Sequence, residues 1–334
     1  MRHNHIIAAW IRDPNAEATS DNYIKLSDPT SYSRETLYSA AYSTGFQSTH
    51  KPTFGRMHPT PTYAFVDNEG CKLHYWYQGS GPLLFFIPGG SGHGCQYNNI
   101  MDILSARYTC ATFDRRGMSS STLEGPARPL SPPQQARDIF AIINALSFKK
   151  AIVFGNSLGG VLGFQLAIDH PEIIDHLICH EAPSIMLLPD SSERFERILT
   201  LQRIAQEEGL QAAFEAYIPV FKGYNDPDIP KPTPAPPQNG INFFENDYLI
   251  GSMYNPDLRK IVRNKVSVGV LAGKRSEDAF YARSTVEQAE ILGCPRMVVP
   301  GHHAGFEVEA AEFAPALQEM VAKLEGARKG DSCS

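Results

Sequence analysis

No run of about 18 consecutive apolar residues occurs in the chain, so the sequence holds no candidate membrane-spanning helix. An excess of positive charge is also missing. Lys and Arg number 30 against 36 Asp and Glu, a formal charge of −6, which offers no basic field to a nucleic acid. Cysteine is scarce and scattered: the six, at positions 71, 95, 110, 179, 294 and 333, form no close pairs and no metal-ligand spacing. Cys110 and Cys179 fall in apolar, strand-like runs and are expected as buried thiols, which fits a reducing, cytoplasmic setting. No metal or other cofactor is called for. A clean secretory signal is lacking as well. The apolar stretch after Met1 is short, ends at Arg12-Asp13-Pro14 and shows no small-residue cleavage site. What remains is a chain whose hydrophobic fraction of 42% can build a substantial core.

Residues 1–58 are polar, rich in Ser, Thr and Tyr, and without sustained periodicity; they read as an N-terminal extension. Order is expected from Tyr63. Two alternating runs, 63–66 and 73–77, flank the turn Asp67-Asn68-Glu69-Gly70 and predict a β-hairpin. The continuous apolar runs 83–87 and 108–113 predict strands buried on both faces. Ser131-Pro132 predicts the start of a helix, with serine as cap and proline in the first turn. Further strands are expected at 151–154, 176–179, 266–271 and 297–300, separated by helical patterns. Strands alternating with helices imply a mostly parallel sheet with helices on both faces and a ligand crevice at the carboxyl ends of its strands. The alternation breaks over residues 184–262. That segment predicts a helical cap inserted over the C-terminal edge of the sheet, between core portions at 59–183 and 263–330. Phe221, Phe243, Phe244 and Tyr248 are its candidates for lining a pocket, with about half of the cap aromatics expected in its own core.

The most informative stretch is Gly155-Asn156-Ser157-Leu158-Gly159, which joins an apolar run to a helical pattern. A serine on so tight a strand-to-helix turn is a nucleophile elbow. The glycines flank it because side chains there would collide with neighbouring backbone. The helix that begins beside Ser157 offers free N–H groups to a developing anion. A serine hydroxyl needs a base, and the base needs an orienting acid. The last strand runs into Pro300-Gly301-His302-His303, and we assign His303 as the base. His302 is left as a structural imidazole or a pocket residue. Two acids compete. Glu181 ends the strand after the elbow, while Glu277 and Asp278 follow the 266–271 strand in a charge-rich segment. The oxyanion donors are expected to be the Leu158 N–H and a backbone N–H of the glycine-rich loop after Ile87, with Gly90 preferred over Gly89 and Ser91. Ser91 is also a candidate substrate contact.

These residues resemble the α/β-hydrolase superfamily, and within it the fungal zearalenone (resorcylic acid lactone) lactonases. The resemblance runs over about residues 62–325 and is weakest across the cap. It rests on Asp114-Arg115-Arg116-Gly117-Met118-Ser119, on Cys179-His180-Glu181-Ala182-Pro183 and on Pro300-Gly301-His302-His303. It implies an α/β-hydrolase fold, with Glu181 as the acid of a Ser157-His303-Glu181 triad. The expected activity is cofactor-free hydrolysis of a small-molecule carboxylic ester or lactone through an acyl-enzyme. The same motifs would serve a C–C bond hydrolase or a non-hydrolytic release enzyme of secondary metabolism. They would also serve a slow, hydrolase-like receptor or scaffold. Nothing in the sequence excludes a homodimer.

Overall fold

The computed structural model describes residues 60–331, so the extension over 1–58 lies outside the described residues. The hairpin is formed by β1 (Thr62–Asn68) and β2 (Cys71–Gly79), antiparallel with Asn68 opposite Cys71. There follow β3 (Leu83–Ile87), β4 (Thr109–Phe113), the short β5 (Thr122–Leu123) and β6 (Ala151–Asn156). The remaining strands are β7 (Ile174–His180), β8 (Val268–Gly273) and β9 (Arg296–Val299). They form one sheet in the order β1-β2-β4-β3-β6-β7-β8-β9, with β5 paired to β2. From β4 through β9 all neighbours are parallel; the β2–β4 pairing is antiparallel.

Period-2 geometry divides each strand between two cores. Leu83, Phe85 and Ile87 face one side of β3, where they pack with Ile139 and Ile142 of the helix Pro132–Ala145 and Val161 and Leu162 of the helix Leu158–Asp169. Leu84 and Phe86 face the other side. There they meet Ile100 and Leu104 of the helix Asn98–Leu104 and Phe313 and Leu317 of the helix Ala310–Asp331. Every residue of β3, β4, β6 and β8 is buried, as two-sided coverage requires. Ser131 caps its helix by accepting the Gln134 N–H. Cys110 and Cys179 are buried free thiols. Among the described residues, no helix is long and apolar enough to cross a membrane.

Between β7 and β8 the chain makes a helical excursion. It comprises helices Ser191–Glu207 and Leu210–Tyr217, the short helix Pro237–Asn242, a π turn Phe243–Asp247 and the helix Tyr248–Met253. Ile185, Ile198, Leu201, Ala213, Phe244 and Tyr248 form a small core of its own. The next helix, Leu258–Arg263, instead sends Leu258 and Ile261 into the main core.

Candidate active site

The turn after β6 shows why its flanking residues are glycines. A Cβ on Gly155 would lie 2.3 Å from the Gly159 carbonyl oxygen, and one on Gly159 would lie 2.1 Å from that of Ile87. Neither contact is tolerable, so the turn closes only without those side chains. Ser157 sits between them at φ 56, ψ −128, a strained conformation for a side-chain-bearing residue. Its N–H donates to the His180 carbonyl at 2.9 Å, which pins the turn to the end of β7.

Glu181 follows directly on β7 and is fully buried, also at positive φ (49). One carboxylate oxygen accepts the Gly273 N–H at 2.7 Å. The other lies 2.7 Å from His303 Nδ1. Burial alone would raise this carboxyl, but the neighbouring His180 and His303 imidazoles outweigh it and hold Glu181 below the usual carboxylate range. With Nδ1 engaged, the free nitrogen of His303 is Nε2. Ser157 and His303 line the same two cavities.

The alternative acids are elsewhere. Glu277 and Asp278 are 68% and 77% exposed and pair with Lys222 at the surface. They make no contact with His303 in the described network, whereas Glu181 does. His302 lines neither cavity. It is fully buried, its Nδ1 accepts the Ala304 N–H at 3.0 Å, and its ring lies 4.7 Å from that of Tyr224. Burial pushes its imidazole down to about 4, and it behaves as a structural side chain. Adjacent residues on a strand-end loop point apart, so only one of the two histidines reaches the cavities.

The smaller cavity, about 290 Å³, runs from Ser157 beneath the excursion past Ile198, Leu201, Ile204, Phe221 and Tyr248. The larger, about 570 Å³, is walled by Gly89, Gly90, Ser91 and Phe243 and holds the buried polar side chains His93, Gln96 and Glu307. Gly89 packs against Ser157: a Cβ there would stand 3.3 Å from the serine Cβ. Of the aromatics read from sequence, Phe221 faces both cavities, Phe243 the larger and Tyr248 the smaller. Phe244 faces neither and belongs to the excursion's own core, with its ring 4.8 Å from Phe214. Sequence reasoning passed over Tyr217 and Tyr281. Tyr217 lines both cavities, and the Tyr281 ring lies 4.4 Å from that of His303. Neither sits in a motif, and a lone tyrosine in a helical pattern carries no signal of its own.

The constellation is a hydroxyl on a strained turn, an imidazole oriented by a buried carboxylate, and a glycine loop beside them. That is the equipment for nucleophilic attack on a carbonyl with general-base assistance. A family model described as the alpha/beta hydrolase fold matches residues 82–213. An uncharacterized hydrolase of Bacillus subtilis (strain 168), YraK, is 27% identical over 270 residues, spanning 76% of this chain and 94% of that protein. Among solved structures, a thermophilic esterase from Thermogutta terrifontis superposes with a TM-score of 0.64 at 19% identity, covering 79% of this chain and 99% of that one. The enol-lactonase from Burkholderia xenovorans LB400 superposes with a TM-score of 0.59 at 19% identity, covering 78% of this chain and 100% of that one. The family model and these neighbours agree on the architecture: the fold of this chain is the α/β-hydrolase fold.

Proposed function

We propose that the protein is a serine hydrolase that cleaves a carboxylic ester or lactone. The observation that carries this reading is the His303 Nδ1–Glu181 contact of 2.7 Å beside an elbow serine that opens on the same cavities. Glu181 fixes the imidazole tautomer, so that Nε2 accepts the Ser157 proton as Oγ attacks the carbonyl carbon. The tetrahedral oxygen is held by the N–H groups of Leu158, at the start of its helix, and Gly90. As the intermediate collapses, His303 returns the proton to the departing alkoxide, leaving an acyl group on Ser157. Water, activated by the same imidazole, releases the acid. In a lactone the alkoxide stays tethered to the acyl chain.

An apolar substrate with aromatic character suits the walls. Tyr217, Phe221 and Tyr281 surround the approach to His303, with the Phe221 ring 5.1 Å from the imidazole. This agrees with the likeness to resorcylic acid lactone hydrolases in the motifs. The helical excursion acts as the cap that selects the substrate.

The test is turnover of a p-nitrophenyl ester series and an aryl lactone panel by wild type and Ser157→Ala, with circular dichroism to verify folding. Hydrolysis by the wild type and its loss in folded Ser157→Ala is the expected result. Turnover retained by Ser157→Ala would contradict the reading.

A further inference from the structure

Three consecutive carbonyls of the loop after β3 are gripped from behind by buried side chains. Arg115 Nε donates to the Gly89 carbonyl at 3.0 Å, and its Nη2 donates to that of Gly90 at 3.2 Å. Asn239 Nδ2 donates to the Ser91 carbonyl at 2.8 Å. Arg115 is wholly buried, just past the end of β4. The same Nη2 donates to Asp247 Oδ2 at 2.7 Å, and that carboxylate is buried too. Asn239 and Asp247 both come from the excursion, from the helix Pro237–Asn242 and the π turn Phe243–Asp247. Asn239 is itself fixed: its Oδ1 accepts the Ser119 N–H at 2.8 Å, and its Nδ2 also donates to Ser119 Oγ at 2.9 Å. Between these anchors the Phe243 ring lies over Gly90, 2.6 Å from where a Cβ would stand.

Peptide planarity turns this grip into an orientation. The Gly89 carbonyl and the Gly90 N–H belong to one trans peptide unit and point in opposite directions. Arg115 Nε and the Gly92 N–H, at 3.1 Å, both hold that carbonyl, so the Gly90 N–H is turned to the opposite side. Stability does not explain the arrangement. A buried ion pair repays little of its desolvation, and Arg115 Nη1 is left buried without a hydrogen-bond partner among the described residues. A planar guanidinium fork that spans two adjacent carbonyls and a carboxylate is instead a device for fixing direction.

We propose that Arg115, with Asp247 and Asn239 of the excursion, is a positioning residue that aims the Gly90 N–H as an oxyanion donor, so the hole is complete only while the excursion is seated. This rests on the serine-hydrolase reading above, in which Gly90 is such a donor. The excursion then contributes to the chemical step as well as to substrate choice.

The experiment compares wild type, Arg115→Lys, Asp247→Asn and Asn239→Ala. It measures kcat and KM on p-nitrophenyl butyrate, Ki for phenylboronic acid, labelling by a fluorophosphonate, and the thermal midpoint. The tetrahedral boronate places an oxygen in the hole, so its Ki reads the donors directly. Lysine keeps the charge opposite Asp247 but cannot span both carbonyls. Losing one oxyanion donor costs about 10²–10³ in kcat, so misaiming one should lower kcat by about 10- to 100-fold. The boronate Ki should rise in parallel, while KM stays within about threefold because ground-state contacts persist. Folded variants with wild-type kcat and Ki would overturn the proposal, as would a loss confined to KM. Should Arg115→Lys fail to fold, Asp247→Asn and Asn239→Ala decide on the same criteria. A wild type that neither turns over nor labels would overturn the hydrolase reading and the proposal with it. A wild type that labels alongside unaffected variants overturns the proposal alone.

Discussion

The strand ends and the helical excursion wall the same cavities by different physical means. At the strand ends, backbone groups set the geometry. The Ser157 N–H is bonded to the carbonyl ending β7, and Glu181 is held by the N–H of Gly273 at the end of β8. Neighbouring strands in register leave those atoms few alternatives. In the excursion, aromatic packing does most of the work: Tyr217, Phe221, Phe243, Phe244 and Tyr248 contact one another at centroid separations of 5.0–5.9 Å. Such contacts constrain direction less tightly than backbone hydrogen bonds and admit repacking. Under the proposed function, reactivity belongs to the strand-end region and selectivity to the excursion. Where a polar network reaches from the excursion to the 89–91 loop, the two roles are coupled.

The sharpest way to break this division is Glu181→Gln. It preserves shape but forfeits the carboxylate that fixes the imidazole, and kcat should fall by about 10³- to 10⁴-fold with KM little changed. A smaller loss would mean that another group orients His303. Phe244→Ala tests the excursion's own core. It should destabilise that core by about 3–5 kcal/mol, seen as faster proteolysis between residues 191 and 253, with the main core still folded. Concerted unfolding of the whole chain would erase the distinction between regions. Ile198→Trp narrows the smaller cavity from the excursion side. Specificity for bulky aryl esters should drop by about 10-fold against p-nitrophenyl acetate, with kcat on the acetate preserved.

Acid should weaken the strand-end region. His180 and His302 are buried and pushed from 6.5 down to about 4. The unfolded chain therefore takes up protons between those pH values that the folded chain refuses, and stability falls as pH drops from about 6.5 towards 4. Glu181, held low in the fold, adds stability above the unfolded carboxyl value that is lost as pH falls through its own. Denaturant midpoints measured across that range should decline steadily; a flat profile would mean the imidazoles are not confined as described. The smallest effect is expected from Glu277→Ala with Asp278→Ala, which remove only a surface pairing with Lys222. Activity should stay within about twofold, and a collapse would reinstate them as acids.

Much of the rigid region was legible in the sequence because its signals are backbone signals. Glycines at 155 and 159 report contacts too close for a Cβ, and buried apolar runs fix which residues end at the crevice. Glu181 and the pair Glu277 and Asp278 both follow strands, so the residues alone left them open; the family resemblance favoured Glu181, and it is Glu181 that lies 2.7 Å from His303 Nδ1. Side-chain sorting was not legible. Phe243 and Phe244 are neighbours in a π turn, so one faces the larger cavity while the other enters a core. Arg115 and Arg116 are likewise adjacent, yet one grips the loop carbonyls while the other pairs with Asp138 behind the sheet. Such choices depend on which neighbour packs opposite, and no local pattern carries that information.

The most direct measurement is intact-protein mass after exposure to a fluorophosphonate, for wild type, Ser157→Ala and Glu181→Gln. The account predicts one stoichiometric adduct on wild type, none on Ser157→Ala and slow formation on Glu181→Gln. A folded wild type that forms no adduct, or an adduct that persists in Ser157→Ala, would contradict it.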